Sequence, residues 1–118
     1  MDRAQLGRDA ETRAAAFLES AGLTLLTRNY RCRMGELDIV AREQAVLVVA
    51  EVRLRSRDDY GGAAASVTSR KQRKIVRATR HLLAVRPALA GLPIRFDVLV
   101  VPADAAPIEW LRGAFDAQ

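Results

Sequence analysis

Two carboxylates interrupt apolar stretches of this chain: Asp38 within Leu37–Val40, and Glu51 directly after Leu47–Ala50. A charged group in a half-buried strand costs free energy unless it has a partner, so both are candidates for chemistry. A hairpin centred near residue 43 or 44 sets Asp38 opposite Val49 or Glu51. Either register brings the two carboxylates to one face, paired or one diagonal apart, with about 5–8 Å between side-chain origins. Carboxylates that close repel each other unless a cation lies between them or one is protonated. Hard divalent cations take such oxygen ligands and keep positions open for water and phosphate. Glu11 shares helical phase with Ala15 and Leu18, and becomes a third ligand if its helix packs across that face. Arg53, two residues beyond Glu51 on the same side, adds fixed positive charge. The same residues also allow an arrangement without metal. Asp38 and Glu51 then pair with Arg28, Arg53 or Arg55 on a solvated sheet face, and Glu11 lies on an ordinary helix surface.

Periodicity supplies the elements that position these groups. A first helix runs from about Arg3 to about Ala21, with Leu6, Ala10, Ala14, Phe17, Leu18 and Ala21 as its apolar side and Gly22 as its stop. Three strands follow: Leu23–Tyr30, Glu36–Ala41 and Ala45–Arg55, the last two joined by a short link at Arg42, Glu43 and Gln44. Alternation puts Leu37 and Ile39 on one side of the second strand, and Glu36, Asp38 and Val40 on the other. On the third, it separates Val48, Ala50, Val52 and Leu54 from Leu47, Val49, Glu51, Arg53 and Arg55. A loop over Ser56–Ala65, marked by Asp58, Asp59, Gly61 and Gly62, leads to a second helix from about Thr68 to about Val85. Ile75, Val76, Thr79, Leu82 and Leu83 form the apolar stripe of that helix. Ile94–Val101 is a strong strand, and Ile108–Leu111 a short last strand or turn with Trp110 packing. The order α-β-β-β-α-β with a short tail predicts an α/β fold, a mixed sheet flanked by helices.

The chain of 118 residues is sized for one domain over 1–118, and 50% hydrophobic content supports a packed core. The longest apolar run, Ala45–Ala50, is too short to cross a bilayer, and no apolar secretory segment opens the chain. The single cysteine, Cys32, excludes an internal disulfide and a multi-cysteine zinc site. A cytoplasmic location with no membrane partner is the expectation. Lys71 and Lys74 are the only lysines among 19 cations, and the net charge is +5. No acid occurs from Tyr60 through Phe96, a stretch that carries Arg70, Lys71, Arg73, Lys74, Arg77, Arg80, Arg86 and Arg95. A one-signed block of this length reads as an anion-facing surface, and guanidinium forks match phosphate oxygens. The alternative is a merely solvated helix face in an arginine-rich composition. His81 reads as a helix-surface residue, and Asp97 as a structural partner of Arg95 or a helix cation.

The chain resembles the YraN family of bacterial proteins. The resemblance rests on Gly7 with Glu11, Arg28-Asn29-Tyr30-Arg31-Cys32-Arg33, Gly35-Glu36-Leu37-Asp38, Glu51-Val52-Arg53 with Arg55, Tyr60-Gly61, Ala64 to Val67, Lys71-Gln72, Arg95-Phe96-Asp97-Val98 and Ala114-Phe115. That family is similar to the restriction-endonuclease-like fold of the PD-(D/E)xK nucleases and Holliday-junction resolvases. The resemblance implies that Glu11, Asp38 and Glu51 occupy acidic metal-binding positions, that Arg53 stands at the catalytic lysine position, and that Lys71 and Gln72 lie on a helix that helps the site. Two positions depart from the pattern: Leu37 replaces the proline before the aspartate, and Arg53 replaces the lysine. Arginine does not lose its proton, so it acts by charge alone.

Together these readings give an expected nucleic-acid-binding protein of endonuclease fold, acting with Mg²⁺ or Mn²⁺ on structured or branched DNA rather than RNA. Glu11, Asp38, Glu51 and Arg53 would form the catalytic group, with Asp38, Glu51 and Glu11 as metal ligands. Arg70, Lys71, Gln72, Arg73, Lys74 and Arg77 would face the nucleic acid. By analogy with resolvases, a homodimer suits a branched substrate. The alternative is a binding or assembly module that keeps the fold without hydrolysis.

Overall fold

The computed structural model describes residues 2–56 and 66–117. Loop positions Asp58, Asp59, Tyr60, Gly61, Gly62, Ala64 and Ala65 lie outside the described residues. Helix α1 spans Arg3–Ser20 and starts from an Asp2 cap whose side chain accepts the Gln5 N–H at 2.8 Å. Its end follows from Gly22, whose φ of 98° suits a residue without Cβ. The Leu23 N–H donates to the Leu18 carbonyl and the Gly22 N–H to the Glu19 carbonyl, each at 3.0 Å. This pair of bonds, with Leu18 and Leu23 both buried, turns the chain sharply into the sheet.

Strands β1 (Thr24–Cys32), β2 (Gly35–Glu43) and β3 (Val46–Arg55) form an antiparallel meander. Helix α2 (Ser69–Val85) then crosses back so that β4 (Ile94–Pro102) lies parallel to β3. Strand β5 (Glu109–Phe115) closes the sheet antiparallel to β4, giving the order β1-β2-β3-β4-β5. The α/β layout expected from the sequence is therefore present. The tail read as a short strand or turn is a seven-residue strand.

The two helices cover opposite faces. Ala10, Ala14, Ala15 and Leu18 of α1 pack on Ile39, Ala41, Val48, Ala50, Leu99 and Val101. Ile75, Val76, Ala78 and Leu82 of α2 pack on Leu37, Val40, Leu47, Val49 and Phe96. Alanines on α1 let that helix lie close to the sheet. Ala21, read as part of its apolar side, is the exposed cap residue.

Two local readings need correction. The β2–β3 link is the two-residue turn Gln44-Ala45, with Gln44 at φ 52°, because the ladder continues to Glu43 opposite Val46. More consequential is the face of Leu37. Strict alternation pairs it with Ile39, yet Leu37 packs under α2 and Ile39 under α1. The backbone changes facing between them, at Asp38.

Candidate functional site

The β2–β3 ladder ends at Ile39 opposite Ala50. One step further, Asp38 would stand opposite Glu51, but no backbone pair forms there. Instead the Asp38 side chain turns toward β3, and its Oδ2 accepts the Val52 N–H at 2.8 Å. A carboxylate thus replaces a carbonyl in the ladder, which explains the change of facing after Leu37. The Glu51 carboxylate is near enough to act on Asp38 both by its charge and as a hydrogen-bond partner of the protonated form. Burial, foremost, and the neighbouring Glu51 charge raise the Asp38 pKa from 3.8 to about 7, against the lowering effect of the Val52 N–H.

Glu51 projects to the α2 side and is buried. Lys71 Nζ lies 2.9 Å from Glu51 Oε1. The start of α2 fixes this contact: the Thr68 hydroxyl accepts the Lys71 N–H at 3.1 Å, and the Gln72 amide donates to the Val67 carbonyl at 2.9 Å. Gly35 matters here as well. Its φ is +156°, and a Cβ there would stand 3.3 Å from the Lys74 carbonyl oxygen, so only glycine lets β2 begin this close to α2.

Glu11 approaches Asp38 from the opposite helix. Burial and then the Asp38 charge raise its pKa, while Arg28 and Asn29 oppose them. With the Asn29 amide oriented by its partners, its nitrogen lies 3.1 and 3.2 Å from the two Glu11 oxygens. Asn29 sits on β1 between the pairs Arg28–Ile39 and Tyr30–Leu37, and adopts φ 53°, a conformation asparagine tolerates.

The structure therefore brings Asp38 and Glu51 into contact. Glu11 is an electrostatic neighbour of Asp38, held by Asn29. Among the described residues no three His, Cys, Asp or Glu side chains form a group able to hold a metal ion. The Asp38–Glu51 pair nonetheless fits a hard cation of the Mg²⁺ type, which commonly takes one or two protein carboxylates and fills its remaining positions with water and phosphate. Arg53 is half-buried on β3, on the Glu51 side.

The basic block forms an exposed face. Arg70, Arg73, Lys74, Arg77 and Arg80 are all exposed, and none has an ion-pair partner among the described residues. At 100° per residue they fall within an arc of about 120°, opposite the buried stripe. Gln72 is half-buried at the edge of this face.

Sequence reasoning missed the Asn29 contact to Glu11 and the Lys71 contact to Glu51. The first carried a weak signal, an asparagine inside a strand. For the second, the resemblance put Lys71 on a helix that helps the site, but nothing in the sequence named Glu51 as its partner. His81 also differs from its surface reading: it is half-buried, and its Nδ1 hydrogen-bonds the Tyr30 hydroxyl. Asp97 is structural and fully buried, taking Arg95, the Trp110 indole at 2.9 Å and the Gly113 N–H at 2.9 Å.

A five-stranded mixed sheet between two helices, with paired carboxylates where its second and third strands part, defines an α/β protein of the layout expected from the sequence. The chain belongs to uncharacterised protein family UPF0102, whose profile matches residues 10–101. A UPF0102 protein of Nitrosomonas europaea is 50% identical over 111 residues, covering 93% of this chain and 92% of its own. Similar proteins in Saccharophagus degradans and Alcanivorax borkumensis are 48% identical over 111 residues and 46% identical over 112. They cover 94% and 92% of this chain, and 92% and 90% of their own. The family shown is the one the YraN resemblance pointed to. No helix among the described residues is long and apolar enough to cross a membrane.

Proposed function

We propose that this protein binds structured or branched DNA along α2 and hydrolyses a phosphodiester at the Asp38–Glu51 pair with Mg²⁺ or Mn²⁺. The observation that carries this reading is the contact between two carboxylates, one buried and one half-buried. Such an arrangement is unfavourable unless something cationic or a proton is drawn to it. A divalent ion held there would supply a polarised phosphoryl oxygen and a more acidic water.

The chain's own groups would do the rest. The Val52 N–H fixes the rotamer of Asp38, and Thr68 fixes the turn that carries Lys71. Lys71 and Arg53 flank Glu51 with positive charge, which favours a phosphate and the charge that grows on it during attack. Glu11 adds negative charge that strengthens cation binding by Asp38. Phosphates of the flanking strand would lie on Arg70, Arg73, Lys74 and Arg77, contacts indifferent to sequence. Aromatic residues are 5% of the chain, so recognition by shape fits better than stacking on bases. A homodimer would offer a branched DNA two such sites.

One observation favours a second reading, binding without hydrolysis. The position that resembles a catalytic lysine holds Arg53, and Lys71 already neutralises Glu51. The experiment is cleavage of branched, duplex and single-stranded DNA with Mg²⁺ and Mn²⁺ by wild type, Asp38→Asn and Glu51→Gln. Metal-dependent cleavage lost in both variants is expected. Salt-sensitive binding without cleavage would establish the second reading, and cleavage unaffected by either substitution would overturn the assignment of the site.

A further inference from the structure

Arg73, Arg77 and Arg80 recur at intervals of four and three residues, so their side chains rise from one stripe of α2. They line a cavity of about 130 Å³ together with Gln72, Val76 and Asp116. That is well below the roughly 300–1,000 Å³ of sites that enclose a whole small molecule. It suits a small polyatomic anion. Val76 forms an apolar floor and Asp116 comes from the segment after β5, so the site has walls from two parts of the chain.

Charge narrows the ligand. Three guanidiniums against one carboxylate leave a net charge of +2 at the cavity. Among the described residues no carboxylate, Asp116 included, is within ion-pairing distance of these arginines. A phosphodiester carries a single negative charge, whereas a phosphate monoester carries about −1.5 to −2 at neutral pH. The monoester is the better match. Forked guanidinium donors also satisfy its three terminal oxygens, which a diester lacks.

We propose that this cavity binds a phosphate monoester, and that its occupant is the terminal phosphate of a nucleic-acid strand whose internal phosphates lie along the rest of α2. This rests on the reading of α2 as the nucleic-acid face. Arg77 lies six residues beyond Lys71, about 9 Å along the helix axis, so the cavity and the cation beside Glu51 belong to one helix. The cavity thus gives the α2 face a preference for strand ends.

The test is fluorescence anisotropy of the full chain in EDTA with one labelled DNA of fixed sequence. Its single-stranded arm ends in a 5′-phosphate, a 3′-phosphate or a hydroxyl. One phosphorylated form is expected to bind about tenfold more tightly than the hydroxyl form. The double variant Arg77→Gln/Arg80→Gln should lose that preference, while Arg70→Gln weakens all three forms alike and keeps it. Equal binding of the three forms by wild type would overturn the cavity assignment and leave the DNA-binding reading standing. No binding of any form at low salt would overturn both. Competition with a free mononucleoside monophosphate separates the two sources of the group. Displacement by it at concentrations equal to the phosphorylated strand would overturn the strand-end assignment.

Discussion

Lys71 Nζ stands 2.9 Å from Glu51 Oε1, joining the first turn of α2 to a carboxylate that is only 6% exposed. The lysine side chain is 47% exposed, so the pair is part-screened by solvent. Replacing Lys71 by Met leaves Glu51 buried without its cation, and should cost about 1–2 kcal/mol in urea unfolding. The same substitution removes the ammonium that competes for the carboxylates. Calcium should therefore raise the melting temperature of Lys71→Met more than that of wild type. An unchanged urea midpoint together with an unchanged calcium shift would show that the contact matters neither to the fold nor to the site.

Asp38 gives stability an unusual pH dependence. Its pKa rises from 3.8 to about 7 in the folded protein, with burial the leading cause and the Glu51 charge next. Between those two values the folded state holds more protons at this site than the unfolded state. Stability therefore falls as pH rises through that window and is level above it. Asp38→Asn keeps an acceptor for the Val52 N–H and removes the charge. It should gain on wild type steadily from pH 4 to pH 7, then hold a constant advantage, measured as the difference in urea midpoint at pH 5 and pH 8. A difference that is flat or shrinks with pH would contradict this.

Asp97 is the anchor of the last strand. It is fully buried, receives both the Nε and a terminal nitrogen of Arg95, and takes the Trp110 indole and the Gly113 N–H from β5. Trp110 packs edge-on against Phe17 of α1 at 5.8 Å, so the network also ties β5 to the first helix. Asp97→Ala should destabilise the protein by about 3–5 kcal/mol, because a buried partner set is left unsatisfied. A loss below about 1 kcal/mol in urea unfolding would show that these bonds are replaced by water.

DNA affinity should depend on salt in proportion to the phosphates that α2 neutralises. Replacing Arg70 and Lys74 by Gln should reduce the slope of log affinity against log salt by about 0.7–0.9 for each contact removed. Titration by anisotropy at several salt concentrations measures it. An unchanged slope would place the phosphates elsewhere on the surface.

The sequence carried the element order because its apolar positions keep clean periods: three to four residues in α1 and α2, two in β3. The pairing of Asp38 with Glu51 was legible for the same reason, since the hairpin had few possible registers. What was not legible came from departures from period. Alternation could not show that Asp38 would give up a strand position to accept the Val52 N–H, and so it misassigned Leu37. Nor could it show the partners that arrive from other elements, Asn29 beside Glu11 and Lys71 beside Glu51. Both depend on helix placement, which for α2 is set by Gly35 through a close backbone approach and by Thr68 through a cap.

Manganese binding followed by electron paramagnetic resonance tests the carboxylate pair most directly. Wild type, Asp38→Asn and Glu51→Gln would be titrated at pH 8, where Asp38 is ionised, with DNA of the branched type present. One ion per chain is expected to bind wild type, and each substitution should weaken it at least tenfold. Equal manganese binding by all three proteins would remove Asp38 and Glu51 from any metal site.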